Sequence, residues 1–237
     1  MITLSAKNMG FEEINRKIRE NGNEFQITDL LGQRFIAAGM SDKDITLIGT
    51  PGNALCSYLN GANVTVYGNA QDAVGDTMND GKIVIHGNIG DAAGYAMRGG
   101  KIFVKGNLGY RGGIHMKAYN EKVPALVVGG TAGSFLGEYQ AGGIIIVLGL
   151  NGNPQIVGNF PCTGMHGGKM LLRSDCKNVI FPNNVHVQAV EDISEFKVYI
   201  EEFCNIFGYD LNEVLSSPFT LIEPDSNNPY KQMYVTD

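Results

Sequence analysis

The sequence has 237 residues and no run of eighteen apolar ones, so a membrane-spanning helix is not expected. Its opening, MITLSAKNMGFEEINRK, has no basic stretch followed by an apolar one, and no signal peptide is read from it. Basic charge is scarce. Eighteen Lys and Arg stand against 24 Asp and Glu, giving a net charge of −6 and a pI near 5.2. No global attraction to nucleic acid or to an anionic membrane follows from that balance. Only four cysteines are present, Cys56, Cys162, Cys176 and Cys204, and none forms a CxxC pair. Isolated thiols without a secretory signal are expected as buried side chains, not as a disulfide framework. Charged residues make up 18% and apolar ones 43%, which excludes disorder. A cytoplasmic globular chain is expected.

What is abundant is glycine, with 32 residues where average usage gives roughly 17. Twenty-seven of them fall between Gly49 and Gly168. No Gly-X-Y register runs through this region, so it is not collagen. The glycines are interleaved with Val, Ile, Leu and Met, so it is not a flexible linker.

Internal repetition explains the spacing. The segments NVTVYGNAQDAVGDTMNDG (63–81), KIVIHGNIGDAAGYAMRGG (82–100) and KIFVKGNLGYRGGIHMKAY (101–119) align, followed by ALVVGGTAGSFLGEYQAGG (125–143) and IIIVLGLNGNPQIVG. Glycines closing the apolar stretches fall at 49, 68, 87, 106, 130 and 149, separated by 19 residues except for one gap of 24. A five-residue insertion near 120–124 accounts for the exception. A second glycine column, 75, 94, 113 and 137, places the insertion at the same point. Before each closing glycine the apolar residues alternate, as in Val64/Val66, Ile83/Ile85 and Ile102/Val104. Such alternation is a strand with one buried face. Asn69, Asn88 and Asn107 form a further column, as do Met78, Met97 and Met116. The first is expected to hydrogen-bond between coils and the second to stack inward.

Nineteen residues are too few for a strand–helix–strand unit and suit one coil of a parallel β-solenoid. The predicted fold is all-β: a single-stranded right-handed parallel β-helix with short capping helices at both ends. Three regions follow. Residues 1–44 form an N-terminal cap with a helix at about 11–21, 45–190 form the β-helix, and 191–237 form a helical cap and an extended tail. Phe11, Ile14 and Ile18 lie on one helical face, and Gly22 is placed to end that helix. In DISEFKVYIEEFCNIFG, Asp192-x-x-Glu195 resembles a capping box, Phe196, Ile200 and Phe203 are part of an apolar stripe, and Gly208 is the stop.

No catalytic, cofactor-binding or metal-binding residue is assigned. Gly106-x-x-Gly109-x-x-Gly112 lacks the strand–helix context of a dinucleotide loop. Gly99-Gly100-Lys101 lacks the following hydroxyl residue and the upstream glycine of a P-loop. Cys162, His166 and Cys176 do not show the paired spacing of a zinc site. His86 and His186 are read as strand side chains; His115 and His166 sit among glycines without an evident catalytic partner. Asp72, Asp76 and Asp91 could line a polysaccharide-active face, yet each has a different neighbourhood, and Lys101 and Lys105 complete no constellation.

The segments GTPGNAL (49–55), GNAQDAVGDTMNDGKIVIHG (68–87), GDAAGYAMRGGKIFVKGNLGYRGGIHMK (90–117), FLGEYQAGGIIIVLGL (135–150) and TGMHGGKMLLR (163–173) resemble the GXGXG domain of glutamate synthase. That is the C-terminal β-helical domain of the large (alpha) chain, here in a stand-alone form. The domain is similar to the corresponding subunit of formylmethanofuran dehydrogenase. The resemblance implies a structural subunit supporting glutamate formation from glutamine and 2-oxoglutarate. Its partners would be a class II glutamine amidotransferase subunit and an FMN-dependent synthase subunit. FMN, an iron–sulfur cluster and NAD(P)H would belong to those partners, since this chain has neither an N-terminal cysteine nor a closely spaced cysteine set. A scaffold of formylmethanofuran dehydrogenase and a self-sufficient polysaccharide-active β-helical enzyme are the alternatives. Tyr110, Arg111 and His115 break the repeat pattern, and Tyr119 begins the insertion. With Tyr230 in the tail, these are the candidate partner interface, because Tyr and Arg are favoured anchors.

Overall fold

The computed structural model describes residues 1–226. Nine parallel strands follow one another in chain order: β1 (Ile2–Ser5), β2 (Glu24–Leu31), β3 (Asp44–Thr50), β4 (Asn60–Tyr67), β5 (Asp80–Ile85), β6 (Lys101–Val104), β7 (Ala125–Val128), β8 (Ala141–Val147) and β9 (Gly167–Leu172). Eight steps of about 4.8 Å make a stack roughly 38 Å long. The register is strict where the sequence repeat is strict. Ile27, Leu47, Val66, Ile85, Val104, Val128, Val147 and Leu172 pair in series and are all fully buried. After each of β4 to β8 a single bridging residue (Ala70, Ile89, Leu108, Ala132, Val157) continues the stack. Met78, Met97 and Met116 are fully buried, as the columns require.

The asparagine column does link coils, though by a different bond from amide-to-amide stacking. Asn69 Oδ1 accepts the backbone N–H of Asn88 at 2.8 Å, and Asn88 Oδ1 accepts that of Asn107 at 2.7 Å. Asp72 and Asp91 work in the same way, accepting the N–H groups of Asp91 and Tyr110 at 2.9 and 2.7 Å. Two of the three acids considered for a catalytic face therefore satisfy backbone donors at the corners, where strand pairing has stopped.

The terminal regions depart from simple caps. Residues 1–44 contribute β1 and β2 to the sheet, with helix α1 (Phe11–Glu20) between them. Buried Asn15 on α1 donates to Phe35 O at 2.8 Å and accepts from Ala37 N at 2.9 Å. It thereby serves a turn of the first coil that has no coil beneath it.

The C-terminal helix does not cover the end of the stack. Helix α2 (Ser194–Phe207) and the short α3 (Leu211–Leu215) lie against the outer face of the sheet, where Phe196, Ile200 and Phe203 pack on Val84, Phe103, Val127, Ile146 and Leu171. Glu195 pairs with Lys169 of β9 at 2.6 Å instead of closing a capping box, and Glu202 pairs with Lys101 and Lys82 at 2.6 and 2.7 Å. The helix thus runs down the stack from β9 to β5. Four coil steps span about 19 Å, close to the roughly 18 Å between residues 195 and 207 of a helix. Gly208 stops α2 in the left-handed conformation, with φ of 75°. Beyond β9 the sheet turns antiparallel, with β11 (Phe219–Pro224) between β9 and β10 (Val185–Val190). The parallel coil, expected to reach residue 190, therefore ends at β9.

Candidate partner interface

The side of the coil opposite the strand-closing glycines is built from turns in which alternate residues have positive φ. In one coil these are Ala73, Gly75 and Thr77; in later ones Arg111, Gly113 and His115, then Phe135, Gly137 and Tyr139. Their backbone N–H groups point alternately to the coil on one side and the coil on the other. Arg111 N reaches Ser134 O, Gly113 N reaches Ala93 O and His115 N reaches Glu138 O. The hydrogen bonds hold a conformation that costs an L-residue about 1 kcal/mol or more. The middle position faces inward. A Cβ on Gly75 would lie 2.6 Å from Ile102 Cδ1, whereas the flanking positions face outward and accept large side chains.

Those outward positions bring together residues from successive coils. Arg111 Nε donates to Glu138 Oε2 at 2.9 Å, and its guanidinium lies 4.7 Å from the Phe135 ring centroid. Phe135 stacks on Phe160 at 5.3 Å. His115 stacks on Tyr139 at 5.2 Å with the rings 9° apart, and meets the edge of Tyr95 at 5.9 Å. Phe160, at 61% exposed, and Tyr139, at 45%, give this face an apolar and aromatic character in contact with solvent.

Of the predicted interface residues, the structure places Arg111 and His115 in this array and Tyr110 beside it. Tyr110 is exposed and its ring lies over Gly133, where a Cβ would sit 2.7 Å from it. Tyr119 stands apart. It opens the insertion, bridges Lys122 in antiparallel fashion, and lines a cleft of about 640 Å³ with Tyr58, Asn60, Asn79 and Arg98. Tyr230 lies outside the described residues. Sequence reasoning misses Tyr95, Phe135, Tyr139 and Phe160. Column arithmetic reaches two of them, since Phe135 and Tyr139 follow Arg111 and His115 by the same 24 residues that carry the insertion.

Several of the other singled-out residues are accounted for by burial or packing. Burial pushes the Cys56 and Cys162 thiols up, and Cys162 occupies the inward turn position taken by glycine in the middle coils. His166 Nδ1 lies 3.0 Å from Gly164 O. His86 stacks on Tyr67 at 4.4 Å and meets Phe207 edge-on at 5.2 Å, under the end of α2. Burial and then the Lys105 charge hold its pKa below the ordinary 6.5. Burial opposes ionisation of Glu202, yet the ammonium groups of Lys101 and Lys82 bring its carboxyl below the usual range. Among the described residues, no group of three or more His, Cys, Asp or Glu is arranged to hold a metal ion. No helix of the described residues is long and apolar enough to cross a membrane.

A family model described as the GXGXG motif matches residues 8–223. The chain is 44% identical over 253 aligned positions to "Uncharacterized protein MJ1350" of Methanocaldococcus jannaschii, covering all of this chain and 97% of that one. Among solved structures it is similar to a chain of the formyltransferase/hydrolase complex FhcABCD from Methylorubrum extorquens, determined with methylofuran. The TM-score is 0.66 at 21% identity, over 86% of this chain and 74% of that one. At that identity the likeness speaks to the fold.

Proposed function

The chain belongs to the GXGXG motif family, and we propose that it is a non-catalytic scaffold on which the catalytic chains of a multi-subunit complex dock. The observation that carries this reading is the outward array of Arg111, His115, Phe135, Tyr139 and Phe160 on a rigid stack. Aromatic rings and arginine are the residues most enriched where partners bind tightly. A solenoid contacts only its neighbouring coils and offers an extended surface, so it can hold two catalytic bodies at a set separation. Transfer of a reactive intermediate between active sites depends on such fixed geometry.

Two assemblies are supported, each by its own observation. The fold similarity to a chain of a formyltransferase/hydrolase complex supports a scaffold in formylmethanofuran-type chemistry. The resemblance of segments 68–87, 90–117 and 135–150 supports the glutamate synthase arrangement, with the amidotransferase and FMN-dependent synthase on either side of the solenoid. Isolation of the tagged chain from its native cell, with identification of the bound chains, distinguishes them. An amidotransferase with an FMN protein marks the second assembly, and a formyltransferase with a hydrolase, or a tungsten or molybdenum dehydrogenase, marks the first. A chain that purifies alone and turns over a substrate unaided overturns the scaffold reading.

A further inference from the structure

The insertion creates a cleft that the scaffold role does not use. Residues 118–124 fold along the stack, and Lys122 Nζ fixes them there by pairing with Asp80 at 2.7 Å, two coils earlier. Between this loop and the turn columns lies the cleft of about 640 Å³, within the size range of small-molecule sites. Its floor is a column of Asn60, Asn79 and Arg98, one residue from each of three successive coils. Tyr58 and Tyr119 also line it, and Asn120, Glu121 and Lys122 reach it from the loop.

These side chains are uncommitted. The asparagines at the opposite corner each accept a backbone N–H, but those of Asn60 and Asn79 have no hydrogen-bond partner within the described residues. Arg98 and Glu121 likewise form no ion pair there, either with other residues or with one another. Lys122, the second cation of the lining, is already answered by Asp80, so one unpaired cation, one unpaired anion, three amides and two tyrosines open into a single cleft. A lone carboxylate would leave Glu121 unanswered, and a lone amine would leave Arg98 so.

We propose that this cleft binds a free α-amino acid, its carboxylate on Arg98, its ammonium toward Glu121 and its side chain between the two tyrosines. A zwitterion matches both charges at once, and charge-assisted hydrogen bonds are the strong ones. Asn60 and Asn79 supply the remaining donors and acceptors.

Nuclear magnetic resonance titration of the full chain tests this, with L-glutamine, L-glutamate, L-alanine and L-phenylalanine as probes. N-acetyl and methyl-ester forms of the same compounds serve as controls. Free amino acids are expected to shift the amides of Asn79, Arg98 and residues 119–122, and the blocked forms are not. Arg98→Gln and Glu121→Gln should each weaken binding about tenfold or more. Both positions are exposed, so the fold is unaffected by either change, and unchanged circular dichroism checks that. The proposal fails if none of the four probes shifts these amides. It fails equally if the N-acetyl forms bind as tightly while Glu121→Gln has no effect, since that describes a general anion site.

Discussion

Gly87 and Gly94 belong to the same coil and to the two different glycine columns, and replacing each by alanine separates two reasons for glycine. At Gly87 a Cβ would lie 2.6 Å from Gly68 O and closer still to Asn69 Oδ1. Backbone cannot step aside without moving the coil, and the Asn69 side chain cannot leave without abandoning the Asn88 N–H. The lost hydrogen bond costs about 1 kcal/mol and the overpacking about 1–3 kcal/mol, together about 2–4 kcal/mol. At Gly94, φ is 69° and the nearest atom to a Cβ is Met97 Sδ at 3.8 Å. Only the left-handed conformation is penalised there, by about 1–2 kcal/mol. Equilibrium urea unfolding followed by circular dichroism gives both values from the midpoints at a common slope. Gly87→Ala should be the more damaging, by about 1.5 kcal/mol between the centres of the two ranges. Equal losses, or a larger loss at Gly94, would refute the reasoning that coil-to-coil backbone approach, not conformation, dictates the strand-closing column.

Three further outcomes are expected. Phe203→Ala removes a fully buried ring at the α2–sheet contact, costs about 3–5 kcal/mol, and should raise hydrogen exchange in α2 before the strands. Glu202 has a lowered pKa, so its stabilisation is present above the ordinary carboxyl pKa near 4.5 and is lost as pH falls through the folded value. Glu202→Gln should flatten the acid limb of a stability–pH curve and cost about 1 kcal/mol near neutrality, read by urea midpoints across that range. The lowered His86 pKa has the same sign: stability is lost as pH falls below about 6.5, and His86→Phe, which keeps a ring against Tyr67 and Phe207, should abolish that loss.

The solenoid is legible in the sequence because its constraint is periodic. Each inward residue meets the same column in the next coil, so Val66, Ile85 and Val104 have to be alike. The turn array is only half legible. Arg111 and His115 stand out as breaks in a pattern, but Phe160 follows Phe135 at 25 residues, after the irregular segment 150–157 has shifted the register. The position of α2 differs from the end cap that its sequence suggests, although a signal for it is present. The outer column changes from Gln26, Thr46 and Thr65 to Val84, Phe103, Val127, Ile146 and Leu171. A strand apolar on both faces requires a cover on each, and the α2 stripe is the element that provides it. The roles of Asp72 and Asp91 depend on which backbone donors a corner leaves unpaired, and residue type alone does not report that.

Capture of partner chains by the tagged protein in its native cell, compared between wild type and an Arg111→Glu, Phe160→Ser variant, tests the scaffold account most directly. Both substitutions are on the exposed turn face and leave the core columns intact. The account predicts that wild type retains its catalytic partner chains and that the variant, folded by circular dichroism, loses most of them. Equal retention by the two proteins would contradict it.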